Sequence, residues 1–125
     1  MHAPHTLGAE GEKLAARYLA GKGYRILALN YRFLRNEIDI IASDGEYICF
    51  IEVKTRASLD KGHPAEAVTR RKQQEIVRAA SGYLAGLDGE PPACRFDVIA
   101  ILANRMEGAL ITEYQLEHIE AAFMA

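Results

Sequence analysis

The sequence has no tryptophan and only two cysteines among its 125 residues. Two thiols are too few for a disulfide framework, so the fold has to stand on packing. Cys49 and Cys94 are expected to stay unbridged, Cys49 as a small core residue, because neither has a neighbour that would activate a thiol. Apolar runs are short. The longest, Val98 to Ala103, falls far below the ~20 residues needed to cross a bilayer. No Lys-led apolar segment opens the chain, so no secretory signal is read and the cytoplasm is the expected location. Repeats, low-complexity tracts and a Gly-rich phosphate loop are all missing, which excludes nucleotide hydrolysis by a P-loop. An excess of positive charge is missing too. The formal net charge is −2, which argues against a partner held by bulk attraction to phosphate.

Half of the residues are apolar and 26% are charged, ordinary values for a globular chain. One domain over residues 1–125 is expected, with a single real core. The charges are unevenly placed. Seven Lys/Arg stand against three acids between Lys54 and Arg78, whereas four Glu and no Lys or Arg follow from Glu107 onward. A basic band of that kind suits a phosphate backbone, although a merely solvated helix face would read the same way.

The most informative stretch runs from Glu37 to Lys54. Two β-branched apolar runs, Ile38–Ala42 and Tyr47–Val53, flank Ser43-Asp44-Gly45-Glu46, and this pattern predicts a hairpin. With Asp44-Gly45 as a two-residue primed turn, Ile41 would face Ile48, Asp39 would face Phe50, and Glu37 would face Glu52. Residues two apart share a face, so Glu37, Asp39, Glu52 and Lys54 would all project from one side. Like charges set across strands destabilise a sheet by roughly 0.2–1 kcal/mol per pair. Buried carboxylates without partners cost more or take up protons. Lys54 can offset one of the three charges, and a divalent cation is the simplest partner for the whole set. The alternative is a solvated face with scattered charges. Against it stand the interleaved Ile41, Ile48 and Phe50, which want cover.

Around this hairpin the periodicity places a first helix from about Leu7 to Ala20, striped by Leu7, Gly11, Leu14, Ala15, Tyr18 and Leu19. Glu10 suits the helix dipole. Glu12 falls at the edge of the stripe, where a carboxylate can lean over the sheet. The residues before Leu7, with His2 and His5, read as a loose terminus. Tyr24 to Arg32 reads as a strand and Phe33 to Asn36 as the turn into the central hairpin, giving an antiparallel meander. A polar loop punctuated by Gly62 and Pro64 leads to a second helix, which starts between Pro64 and Thr69 and ends near Gly86. Its stripe of Ile76, Ala80, Tyr83, Leu84 and Leu87, carried back one turn, passes through Lys72 and Gln73 and points both inward. Phe96 to Leu102 is apolar on both parities, as in a strand buried on both faces. Asp97 there reads as a supporting acid of the site or, better, as a partner for Arg95 or a nearby backbone N–H. A strand over Leu110 to Tyr114 and a short helix from Leu116 to Phe123 are expected to close the chain.

Asp39 followed by Glu52-Val53-Lys54 resembles the D…ExK core of the PD-(D/E)XK, or restriction-endonuclease-like, nucleases. The chain is more closely similar to the YraN-like family of uncharacterised bacterial proteins. That resemblance rests on Gly11-Glu12 with Ala15 and Ala16, Gly23-Tyr24-Arg25-Ile26, Asn30-Tyr31-Arg32, Glu37-Ile38-Asp39, Phe50 through Arg56, Pro64 through Thr69, Lys72, and Arg95 through Val98. One departure is Asn36, where the family usually has Gly. Asn tolerates a positive φ, so the turn is expected to survive.

The resemblance implies an α/β, restriction-endonuclease-like αβββαβ core, a mixed sheet flanked by helices, with an extra C-terminal strand and short helix. It implies a metal-dependent endonuclease that uses Mg²⁺ or Mn²⁺. Asp39, Glu52 and the backbone carbonyl of Val53 would hold the ion, Glu12 would support it, and Lys54 would orient the attacking water or stabilise charge. Glu37 would be an accessory acid or a partner of Arg35 or Arg56. Arg56, Arg71, Lys72 and Gln73 would contact nucleic acid, DNA rather than RNA. Similarity to archaeal Holliday junction resolvases suggests branched DNA, a role that would need a homodimer to cut two strands. The competing reading is a catalytically silent nuclease-fold module that binds nucleic acid or a repair partner. A further one is an interaction protein unrelated to nucleic acid.

Overall fold

The computed structural model describes residues 6–125. The expectation for His2 and His5 lies outside them. Helix α1 spans Leu7–Gly21, opened by Thr6, whose Oγ1 accepts the Ala9 N–H at 3.1 Å, an N-cap of the ordinary kind. Strands β1 (Arg25–Phe33), β2 (Asn36–Ser43) and β3 (Ile48–Arg56) follow as the expected antiparallel meander. A short 3-10 turn, Pro64–Ala67, precedes helix α2 (Arg70–Ala85), whose cap Thr69 accepts the Lys72 N–H at 3.3 Å. The helix carries the chain across the sheet, so β4 (Cys94–Glu107) lies parallel to β3, and β5 (Leu110–Phe123) returns antiparallel to β4. The result is one mixed five-stranded sheet in the order β1-β2-β3-β4-β5.

The two helices cover opposite faces of this sheet. Leu14, Ala15 and Leu19 of α1 pack on Ile40, Ala42, Cys49, Ile51 and Val53. Ile76, Ala79 and Ala80 of α2 pack on Ile41, Phe50, Phe96 and Val98. Both thiols are free, and burial pushes the Cys49 thiol up to about 12, too high for a nucleophile at neutral pH. No helix of the described residues is long and apolar enough to cross a membrane.

Three expectations are corrected. The β2–β3 connection is not a two-residue turn, because Ser43 pairs with Ile48 and leaves four residues, Asp44 to Tyr47, in the loop. Asp44 closes it as an Asx turn, its Oδ1 accepting the N–H groups of Glu46 and Tyr47 at 2.8 and 2.7 Å. The register therefore slips by two, with Ile41 opposite Phe50 and Ile40 opposite Ile51. A two-residue slip keeps every side chain on its expected face. Second, the C-terminal helix does not exist: residues 116–123 continue β5, pairing from Leu116 with Ile101 to Phe123 with Phe96. The helix-forming Glu and Ala content there is overridden by ladder hydrogen bonds and by Ile119 and Phe123 packing on the α2 face of the sheet. Third, Asn36 does not occupy the left-handed region. Phe33 pairs with Asn36, and the positive φ of that turn, +56°, belongs to Leu34.

Gly11 decides how closely α1 meets the sheet. A β-carbon at that position would overlap the Thr55 hydroxyl, with the Thr55 Cβ and Cγ2 at 3.0 and 3.2 Å. Gly11→Ala gains about 1 kcal/mol of helix propensity against roughly 1–3 kcal/mol of overpacking beside a stiff β-branched side chain. We expect a net loss of stability in denaturant titration, with an unchanged m-value.

Candidate functional site

The new register sets Asp39 and Glu52 side by side. On the α2 face of β2 and β3, Ile41 and Phe50 belong to the core, and the next residues outward are Asp39 and Glu52. Asp39 is 8% exposed and Glu52 3% exposed. They line a groove with Glu37, Val53, Lys54, Thr55, Arg56, the first turn of α2 at Lys72, and Gly8 of α1. Asp39 is fixed from behind, since its Oδ2 accepts the Val53 N–H at 2.8 Å.

Burial is the main force on Glu52, and the neighbouring Asp39 adds to it. Together they push the Glu52 carboxyl up to about 8, although Lys72 and Lys54 pull the other way. The raised value means that Glu52 keeps its proton further up the pH range than an exposed glutamate does. Lys54 Nζ stands 3.4 Å and Lys72 Nζ 3.7 Å from Glu52 Oε2. Those distances exceed the ~2.7–2.9 Å of a tight charge-assisted hydrogen bond. The ammonium groups offset the charge of Glu52 only in part, since burial still keeps its carboxyl raised.

Of the residues singled out in the sequence, Asp39, Glu52, Val53, Lys54, Arg56, Lys72 and Glu37 come together in this groove. Glu37 lies 3.7 Å from Arg32 and lines the groove together with Arg56. Arg56 has its Nε buried with no hydrogen-bond partner among the described residues, a donor suited to an incoming oxyanion. Three residues are not part of the groove. Glu12 Oε1 accepts from Asn30 Nδ2 at 2.8 Å and is absent from the groove wall. Arg71 is exposed and 3.8 Å from Glu75. Gln73 donates to the Val68 carbonyl at 3.2 Å, closing the turn before α2. The stripe argument placed Lys72 well and failed for Gln73 because a local backbone acceptor claims it. Among the described residues, no cluster of three His, Cys, Asp or Glu that could hold a metal forms. The acids number two at the centre, with two amines.

A second polar cluster, missed in the sequence, lies at the Asp44 end of the sheet. Asp97, fully buried, accepts from Arg95 Nε at 2.9 Å and from the Ala121 N–H at 2.9 Å, and His118 Nε2 lies 2.8 Å from it. Burial alone would raise this carboxyl, but the contacts from His118, Arg95 and Ala121 outweigh it and hold Asp97 below the usual range. Arg95 also reaches Asp44 at 3.2 Å and Tyr24 at 2.8 Å, so the cluster ties β4 to the β2–β3 loop. The pairing of Asp97 with Arg95 was legible. The role of His118 was not, because it fell in the expected C-terminal helix.

The chain matches the family described as Uncharacterised protein family UPF0102 over residues 11–101. It is 70% identical over 124 residues to a UPF0102 protein of Chlorobaculum tepidum, covering 99% of this chain and 96% of that one. A UPF0102 protein of Chlorobaculum parvum is 67% identical with the same coverage. One from Symbiobacterium thermophilum is 53% identical over 95 residues, covering 76% of this chain and 80% of its own. The match runs through every element that builds the groove, and the chain belongs to the UPF0102 family.

Proposed function

We propose that this protein is a Mg²⁺- or Mn²⁺-dependent endonuclease that hydrolyses phosphodiester bonds of DNA, on a restriction-endonuclease-like αβββαβ core. The observation that carries the reading is the buried Asp39–Glu52 pair beside Lys54. Two adjacent buried carboxyls form a donor set for a hard dication, and Mg²⁺ needs only one or two carboxylates because it keeps several waters. Asp39 and Glu52 would hold the ion, and the Val53 carbonyl is the candidate third oxygen. Bound there, such an ion lowers the pKa of coordinated water and neutralises charge on phosphoryl oxygens. Asp39 is held in place by the Val53 N–H, which its Oδ2 accepts. Lys54 stands where it can orient the attacking water or meet developing negative charge. Arg56 and Lys72 supply phosphate contacts at the groove wall.

One observation favours the second reading, a catalytically silent DNA-binding module. Lys54 and Lys72 together give the acid pair two cations of its own. A panel of linear, flapped and branched DNA incubated with Mg²⁺, Mn²⁺ or EDTA separates the two. Cleavage that EDTA stops supports the nuclease. DNA binding that survives EDTA with no cleavage of any substrate supports the module, and a flat salt dependence of affinity removes both.

A further inference from the structure

The β1–β2 turn sits at the groove end of the sheet, five residues before Asp39 along the chain. Its outermost side chain is Leu34, 80% exposed, the most exposed leucine among the described residues. Leu34 also holds a left-handed backbone at φ +56°. The first central position of a two-residue hairpin usually takes Gly there, and a residue with a β-carbon pays roughly 1–2 kcal/mol for it. Nothing inside the fold repays either feature, because the side chain is out in solvent. Single exposed leucines are common, but a strained one at a supported tip is not.

The support is firm. Phe33 packs against Gly82 of α2, where a β-carbon would overlap its ring. Tyr31 meets Tyr83 edge-on at 5.3 Å. Arg32 and Arg35 flank the tip, both exposed. A turn backed by α2 therefore presents one apolar side chain between two exposed cations, of which Arg32 stands 3.7 Å from Glu37 of the groove lining. That is the chemistry of a wedge that enters between bases while its flanks hold phosphates.

We propose that Leu34 is an unstacking wedge that inserts at a weakened step of DNA, such as a fork, flap or nick, and so sets where the backbone enters the groove. The proposal rests on the nuclease reading of that groove and names its substrate class. At about 3.3 Å per residue, Leu34 lies roughly 17 Å from Asp39, the rise of about five base pairs. Insertion is cheapest where stacking is already broken, which selects distorted DNA over intact duplex.

The test uses the full chain in EDTA, so that nothing is cut, with a forked DNA carrying 2-aminopurine beside the branch and a matched intact duplex. Wild type is expected to raise the 2-aminopurine fluorescence of the fork and not of the duplex. Leu34→Gly relieves the backbone, so its melting temperature is expected to hold or rise, yet the fluorescence change disappears and fork affinity falls about tenfold. Leu34→Trp keeps both signals, and Leu29→Ser, at an exposed leucine further back on β1, changes neither. A Leu34→Gly protein that matches wild type in both signals overturns the wedge, as does wild type that binds no DNA, or an equal loss in Leu29→Ser. Mg²⁺-dependent cleavage tells the two claims apart. If Leu34→Gly cuts the fork at the same place and rate, the wedge fails and the nuclease stands. If Leu34-dependent unstacking occurs but no substrate is ever cut, the wedge stands and the nuclease fails.

Discussion

Glu52→Gln is expected to lower divalent-ion-dependent DNA cleavage by at least about a hundredfold while leaving the fold in place. The substitution is isosteric. It removes the charge that would hold the ion but keeps a hydrogen-bonding group beside Asp39, at a position 3% exposed. Lys54→Ala is expected to lose about a hundredfold through a different route, since in the proposed mechanism Lys54 would act on water or charge and not on the ion. Its defect therefore falls on kcat and is not rescued by excess metal. Lys72→Ala, at a residue 3.7 Å from Glu52 that would contact phosphate in the proposed complex, is expected to fall mainly on KM, by about tenfold. Initial rates across metal and substrate concentrations, with circular dichroism on each variant, read these apart. Cleavage indifferent to both Glu52→Gln and Lys54→Ala would come from a contaminating nuclease, and the assignment of the groove would be lost.

The metal-free protein is expected to lose stability as pH rises from about 4.5 to about 8, the ordinary and folded-state values of Glu52. Within that window Glu52 keeps its proton in the native state and has released it in the unfolded chain. The native state then binds more protons, and stability falls with rising pH. The loss is a few kcal/mol at about 1.4 kcal/mol per unit. Asp97 and Asp44 act in the opposite sense. Burial opposes ionisation of Asp97, but His118, Arg95 and Ala121 hold it low, and Asp44 is held low by the backbone N–H groups of Tyr47 and Glu46. Their contribution is present above the unfolded value of 3.8 and disappears as pH falls. Urea titrations in EDTA across this range test the sign, and the difference from Glu52→Gln isolates the Glu52 contribution. Mg²⁺ or Mn²⁺ competes with the proton for the same oxygens, so the alkaline loss is expected to shrink when either is added. A wild-type curve parallel to that of Glu52→Gln would mean that the proton is not held there.

The face that carries the groove was legible because alternation survives a two-residue slip in register. Its inner geometry was not. An Asp-Gly pair invites the shortest turn, but Asp44 can also accept two backbone N–H groups and support a longer loop. That choice depends on local hydrogen bonding, which period-2 reading does not see. The longer loop moved Asp39 from opposite Phe50 to beside Glu52, a tighter acid pair than expected. Glu12 shows the limit of helical spacing, which sets direction but not the partner that claims the carboxylate, here Asn30. The C-terminal segment shows the same limit on a larger scale. Its residues favour a helix in isolation, and pairing along the whole length of the preceding strand, β4, makes them a strand.

That strand also explains the acid-rich end of the chain. β5 is the last strand of the sheet, so its outer rim leaves backbone donors and acceptors open to any other extended chain, the usual starting point of fibrous aggregation. Glu113, Glu117 and Glu120 are all exposed along it. They stand within ion-pair distance of Arg105, His63 and Arg95, so the rim carries ordered charges that a second copy would have to displace or oppose before it could pair there.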